Sequence, residues 1–195
     1  MLETDRQPAG TGASARERIL DASYELFSQR GIRAVGVNEV IERAGVATAT
    51  LYRHFPSKDE LVLAFLHLRE QRWTKDLIEA GAIRRGSNAE ERLLAIFDVL
   101  DEWFHRDDFE AGSFIKVLLE LGPKHPAGGA SVRHLEQIRA IVRRLAEEAG
   151  LCDTDSFAHS WHILMKGSIV SAAEGDVEAA RRGKAIARLL IDQYR

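Results

Sequence analysis

The stretch from Ala44 to Leu61 reads AGVATATLYRHFPSKDEL, and its residue types suit one kind of chemistry. Thr48 and Thr50 carry hydroxyls that donate and accept hydrogen bonds, and the methyl of Ala49 can meet the methyl of a thymine. Tyr52, Arg53, His54 and Lys58 add a phenol, a guanidinium, an imidazole and an ammonium, with no acid before Asp59. Hydroxyls and a small apolar group can read base edges, while the polar and cationic groups hold phosphates. The chain as a whole has a formal net charge of -3. The strip is therefore a local reading surface, not part of a nonspecific basic coat.

Two short helices must position that strip. Val37, Val40, Ile41 and Ala44 mark the first, which Gly45 ends. The second covers roughly Thr48 to His54, with Val46, Leu51 and Phe55 turned inward. Joined by Ala44-Gly45-Val46, the pair matches a helix-turn-helix, whose second helix enters a major groove by its N-terminal end. Upstream, Ser14 and Glu17 have capping-box spacing, and Ile19, Ser23, Leu26 and Phe27 share one face until Arg30-Gly31. Downstream, Ser57 and Glu60 make a second such box. Leu61, Phe65 and Leu68 carry the long helix that follows, and Lys58 lies in its first turn, where free backbone N–H groups favour phosphate.

Helical periodicity continues to the C-terminus. Arg84-Arg85-Gly86 reads as a break, then Ser87 as an N-cap with Glu90 behind it. Leu93, Leu94, Phe97, Leu100 and Phe104 form the next stripe. A segment from Gly112 to Leu121 leads into a loop over Gly122–Gly129. Helices over about Ser131–Glu148, Asp155–Glu174 and Asp176–Tyr194 complete the chain. The fold class is all-α with about nine helices. The domain organisation expected is a tail over 1–13, a three-helix DNA-binding unit over 14–60 and a larger helical unit over 61–195.

From Phe27 to Leu66 the sequence resembles the DNA-binding domain of the TetR family of transcriptional repressors. Phe27, Gly31, Ala44-Gly45-Val46, Thr50-Leu51-Tyr52, His54-Phe55 and Ser57-Lys58 carry the resemblance. It implies base or sugar contacts from Thr48, Ala49 and Thr50, and phosphate contacts from Tyr52, His54 and Lys58. Three positions depart from the family pattern. Val35 and Gly36 stand where hydroxyl residues are common, and Ala47 stands where a serine commonly caps the recognition helix. Thr48 is the candidate to take over that cap.

Aromatic residues concentrate in the C-terminal half, where they serve either as ordinary helical core or as the lining of a cavity. The resemblance implies a cavity for an apolar or aromatic effector, for which Trp103, Phe114, Trp161 and Met165 are the candidate lining. The last two helices carry apolar stripes that could pack as an intramolecular hairpin alone. The resemblance implies instead that the pair meets its copy in a four-helix homodimer interface. Leu164, Ile169, Ala172, Ile186, Leu189 and Leu190 are its candidate residues. Two-fold symmetry would match a palindromic operator in double-stranded DNA.

Other classes find little support. No G-x-S-x-G, H-E-x-x-H, phosphate-cradling glycine loop or paired cysteine set occurs, so the chain does not read as an enzyme. His159 and His162 share a helix face without evident convergence with His105, His125 or His134, so no metal or other cofactor is expected. Cys152 reads as an incidental loop thiol. The start MLETDRQPAGTGA lacks the features of a secretory signal, and the longest apolar run, Leu61–Leu66, is far short of a membrane span. The expectation is a cytoplasmic, DNA-binding, ligand-responsive repressor with no membrane partner. An architectural DNA-binding protein without an effector is the alternative.

Overall fold

The computed structural model describes residues 13–110 and 112–195; the tail expected over 1–13 falls, except for Ala13, outside them. Nine helices occur among the described residues, and no strand does. They are α1 (Ala15–Arg30), α2 (Val37–Ala44), α3 (Thr48–His54), α4 (58–85), α5 (Ala89–Phe104), α6 (Ser113–Leu121), α7 (Pro126–Glu148), α8 (Thr154–Ala173) and α9 (Ala179–Gln193). No helix among the described residues is long and apolar enough to cross a membrane.

Helix α1 starts on a reciprocal cap, in which Ser14 Oγ accepts from the Glu17 N–H (3.2 Å) and Glu17 Oε2 accepts from the Ser14 N–H (2.7 Å). Its buried face, Ile19, Ser23 and Phe27, meets α4 through Phe65, whose ring lies edge-on to Phe27 (5.5 Å) and to Tyr24 (5.8 Å). This packing runs through the boundary drawn at residue 60, because Leu61, Val62, Phe65 and Leu66 are buried with the N-terminal unit. Helix α4 is α-helical over Lys58–Arg69, widens to a π-helix over Glu70–Glu79 and returns to α over Ala80–Arg85. The wide turns bury Glu70, Trp73 and Thr74 on the inner side. Such widening tends to occur at functional sites.

Three boundaries differ from the sequence expectation, each for a local reason. Asn88, not Ser87, caps α5: its side-chain oxygen accepts from the Glu91 N–H (2.9 Å). The loop expected over Gly122–Gly129 ends at His125. Pro126, with φ already set for a helix, opens α7, and His125 Nδ1 accepts from the Ala127 N–H (3.2 Å). Gly128 lies inside that helix because a Cβ there would collide with the Gly122 carbonyl, so the glycine marks a close approach. Before α9, Asp176 accepts from the Glu178 N–H (3.1 Å) and holds a turn, which delays the helix to Ala179.

Candidate functional site

The turn between α2 and α3 depends on Gly45, at φ 61° and ψ 45°. That left-handed geometry is costly for a residue with a Cβ. The Gly45 and Val46 N–H groups return to the carbonyls of Glu42 (3.1 Å) and Ile41 (3.3 Å), closing the helix end. Val40 and Leu51, both buried, clamp the two helices. With Leu51 and Phe55 inward at i, i+4 spacing, the pairs Thr48/Tyr52 and Ala49/Arg53 face solvent, and Thr50 and His54 are half-buried at the edge.

The exposed face of α3 is chemically open. Arg53 has no ion pair among the described residues, whereas Arg43, Arg30 and Arg72 are held by Glu25 (2.7 Å), Glu39 (2.5 Å) and Asp21 (2.6 Å). Tyr52 is 47% exposed. Ala47 is the N-cap residue and supplies no side-chain cap, and Thr48 is the first helical residue, so Thr48 does not take over the cap. Val35 is fully buried, which accounts for an apolar residue where the family commonly has a hydroxyl.

Lys58 is placed differently from the expectation of a phosphate contact. Its ammonium donates to the carbonyls of Ile32 (2.6 Å) and Val35 (2.7 Å) and is half-buried, so it fastens the loop between α1 and α2. The same loop is held from the other half of the chain. One Glu120 carboxylate oxygen accepts from the Ile32 and Arg33 N–H groups, both at 3.0 Å. Gly31, at φ 82°, leaves room for that carboxylate, which a Cβ would overlap. Lys116 Nζ donates to the Ser28 carbonyl (3.1 Å). Sequence reasoning missed Lys116 and Glu120, and an i, i+4 pair of opposite charge on a short helix carries no signal that would have found them.

Between α4, α6, α7 and α8 lies a narrow, nearly closed-up cavity of about 20 Å³, lined by Phe114, Leu135, Ile138, Met165 and Ile169 with Arg69, Trp73, His162 and Lys166. Of the four expected lining residues, Phe114 and Met165 are there. Trp161 is not. It is fully buried between Phe97 (5.3 Å) and Phe157 (5.2 Å), as core that joins α8 to α5. Trp103 stands outside the narrow cavity, edge-on to Trp73 (5.5 Å) and Phe109 (4.9 Å), and lines a separate polar cleft with Tyr24, Arg72 and Arg106. Arg69 and Trp73 line both spaces. Arg69 is buried, ion-paired to Glu110 and bonded to Tyr24 Oη (2.8 Å), with its guanidinium against the Trp73 and Trp103 rings. Burial holds the His162 imidazole neutral, with its pKa lowered to about 3. Burial likewise lowers that of the Lys166 ammonium, assisted by nearby Arg139.

The candidate interface residues divide. Ile186 (53%) and Leu189 (69%) are exposed, and Leu164, Ala172 and Leu190 are half-buried. Ile169 is buried inside the monomer and lines the cavity, so it does not face outward. Two exposed residues of α8 were missed, Ile163 (67%) and Val170 (48%). Helix α8 is apolar on two faces. Phe157, Trp161, Met165 and Ile169, four residues apart, fill the core, and Ile163, Gly167 and Val170 form an outer stripe, of which Ile163 and Gly167 share a groove with Ile186.

A helical protein with a capped helix-turn-helix and an exposed, acid-free second helix belongs to the DNA-reading class. The family model for bacterial regulatory proteins of the tetR family matches residues 19–65. An HTH-type transcriptional regulator of Mycobacterium tuberculosis is 38% identical over 78 residues, 40% of this chain and 39% of that protein. The HTH-type transcriptional repressor KstR of Rhodococcus jostii is 31% identical over 140 residues, 72% of this chain and 61% of that protein. The crystal structure of SCO4454, a TetR-family transcriptional regulator from Streptomyces coelicolor, superposes with a TM-score of 0.84 at 25% identity, covering 92% of this chain and 95% of that one. Residues 19–65 thus form a DNA-binding domain of the tetR family of bacterial regulatory proteins, on a chain whose fold is similar to that of a TetR-family transcriptional regulator. The chain spans less than two thirds of the length of these two curated relatives.

Proposed function

We propose that this protein is a homodimeric repressor that reads a palindromic operator with α3 and leaves it when a small effector opens the narrow cavity beside Phe114 by displacing α6. The observation that carries this reading is the outer face of α3. Thr48 and Ala49 lie at the N-terminal end that enters a groove, Thr50 at its edge, and Tyr52, Arg53 and His54 flank them toward the phosphates. Lys58 is omitted from the contact set because its ammonium is engaged by the α1–α2 loop. The repressor sense follows the relatives of that description, and the cytoplasm is where such DNA would be met.

Dimerisation is assigned to the outer stripe of α8 and α9. Ile163, Val170, Ile186 and Leu189 would each leave large apolar surface in water on an isolated chain, and Gly167 lets a partner helix approach closely. Coupling between the sites is assigned to α6. Ser113, Phe114 and Ile115 line the cavity at its start, and Lys116 and Glu120 hold the end of α1 and the α1–α2 loop further along. A ligand that displaces α6 would move the support of α2, and with it the spacing of the two recognition helices. A coupling of about 1–3 kcal/mol would weaken DNA binding by about 5–150-fold.

The test is a footprint of the purified protein on the DNA flanking its own gene. The expected result is protection of two half-sites about one helical turn, or a multiple, apart. Uniform protection at all sequences would support a nonspecific architectural role instead.

A further inference from the structure

Residues with donors that lack acceptors line the cavity. Lys166 has no hydrogen bond or ion pair among the described residues, and it stands half-buried on the lining. Arg69 Nε and Trp73 Nε1 are buried and unpartnered. Much of the remaining lining is apolar, with Ile115, Leu135, Ile138 and Ile169. No aspartate or glutamate among the described residues lines this cavity. Arg69 already has a carboxylate in Glu110, so the uncompensated charge of the site amounts to the one ammonium.

We propose that the effector is an apolar molecule carrying a single carboxylate, which lies against Lys166 and accepts from the Arg69 and Trp73 N–H groups. The inference rests on the effector-binding reading above and names the chemistry of that ligand. A neutral carbonyl would satisfy a donor but leave the ammonium uncompensated in an apolar surrounding. A phosphate dianion would bring more charge than the one free cation balances. An amine would meet Lys166 and Arg69 as like charges. A carboxylate answers both the charge and the orphaned donors, and its apolar body would part Phe114, Leu135 and Met165 as the cavity widens.

The test is calorimetric titration of the full-length protein with matched pairs: octanoate against octanamide, and 4-phenylbutanoate against 4-phenylbutanamide. Lys166→Met serves as the variant, since it keeps the length of the stem and removes the charge. The expected result is that at least one acid binds about 10-fold or more tightly than its amide. Lys166→Met should erase that preference while leaving amide affinity and helical circular dichroism unchanged. Equal affinities within both pairs, a preference that survives Lys166→Met, or no binding by either acid at millimolar concentration would overturn the proposal. Operator binding by the ligand-free protein is measured in parallel. Loss of that binding would sink the regulator reading itself, whereas intact operator binding with no acid preference sinks only this inference.

Discussion

Replacing Glu120 by alanine isolates one contact that ties α6 to the N-terminal half of the chain. The wild-type carboxylate accepts two backbone N–H groups at 3.0 Å, one part-buried at Ile32 and one exposed at Arg33. A buried hydrogen bond to a charged acceptor contributes about 1.5–3 kcal/mol, and the exposed one falls well below that range because water replaces it. The loss should total about 2 kcal/mol, since the Ile32 N–H is then left with no acceptor. For a chain of this size each kcal/mol moves the melting midpoint by roughly 2–4 °C, so Glu120→Ala should melt about 4–8 °C lower. Glu120→Gln keeps an amide oxygen for both N–H groups and loses only the charge, so it should fall less than half as far. Circular dichroism melts give these shifts, and amide hydrogen exchange at Ile32 and Arg33 localises them. If the carboxylate also transmits the effector signal, Glu120→Ala should bind operator yet respond less to ligand. An alanine variant that melts within 1 °C or so of wild type, with Ile32 exchange unchanged, would refute the reasoning.

Arg53→Ala should weaken DNA binding similarly across sequences and lower the slope of log K against log salt by about one; fluorescence anisotropy at several salt concentrations measures both. Lys58→Ala should leave that slope unaltered and lower the melting midpoint, because it frees the Ile32 and Val35 carbonyls rather than a phosphate site. Leu189→Glu or Ile163→Glu should yield a folded monomer in sedimentation, with tight operator binding gone, since both side chains are exposed on one chain and a buried charge is costly at a dimer interface. The His162 pKa is depressed to about 3 from an ordinary 6.5, so the unfolded chain takes up the proton first as pH falls. Stability from this group is complete above about pH 6.5 and is lost toward pH 3, and burial of His134 acts in the same direction. Urea midpoints between pH 6.5 and 5, above the carboxylate range, should decline in wild type and decline less in His162→Gln.

The local features were legible from the sequence alone. The Ser14–Glu17 box, the left-handed Gly45 and the inward Leu51–Phe55 pair each involve neighbours within one or two turns. What escaped was set by distant partners. Lys58 reaches Ile32 across 26 positions, and Glu120 reaches it across 88, and backbone carbonyls and N–H groups look alike in every sequence. Trp161 and Trp103 illustrate a second limit. An aromatic side chain reads the same whether it fills a core or edges a cavity, and here Phe97 and Phe157 close over Trp161. Helix α8 has apolar residues on both faces, so periodicity alone could not separate its core stripe from the outer Ile163 and Val170. The π-helical turns at Glu70–Glu79 have no residue signature at all.

Selection of bound duplexes from a random DNA library tests the central claim most directly. The α3 face should enrich a two-fold symmetric motif with half-sites about one helical turn, or a multiple, apart. A variant altered at Thr48 should enrich a changed half-site. Recovery of no motif by the wild-type protein, or of an identical motif by the Thr48 variant, would contradict the assignment of α3 as the reading element.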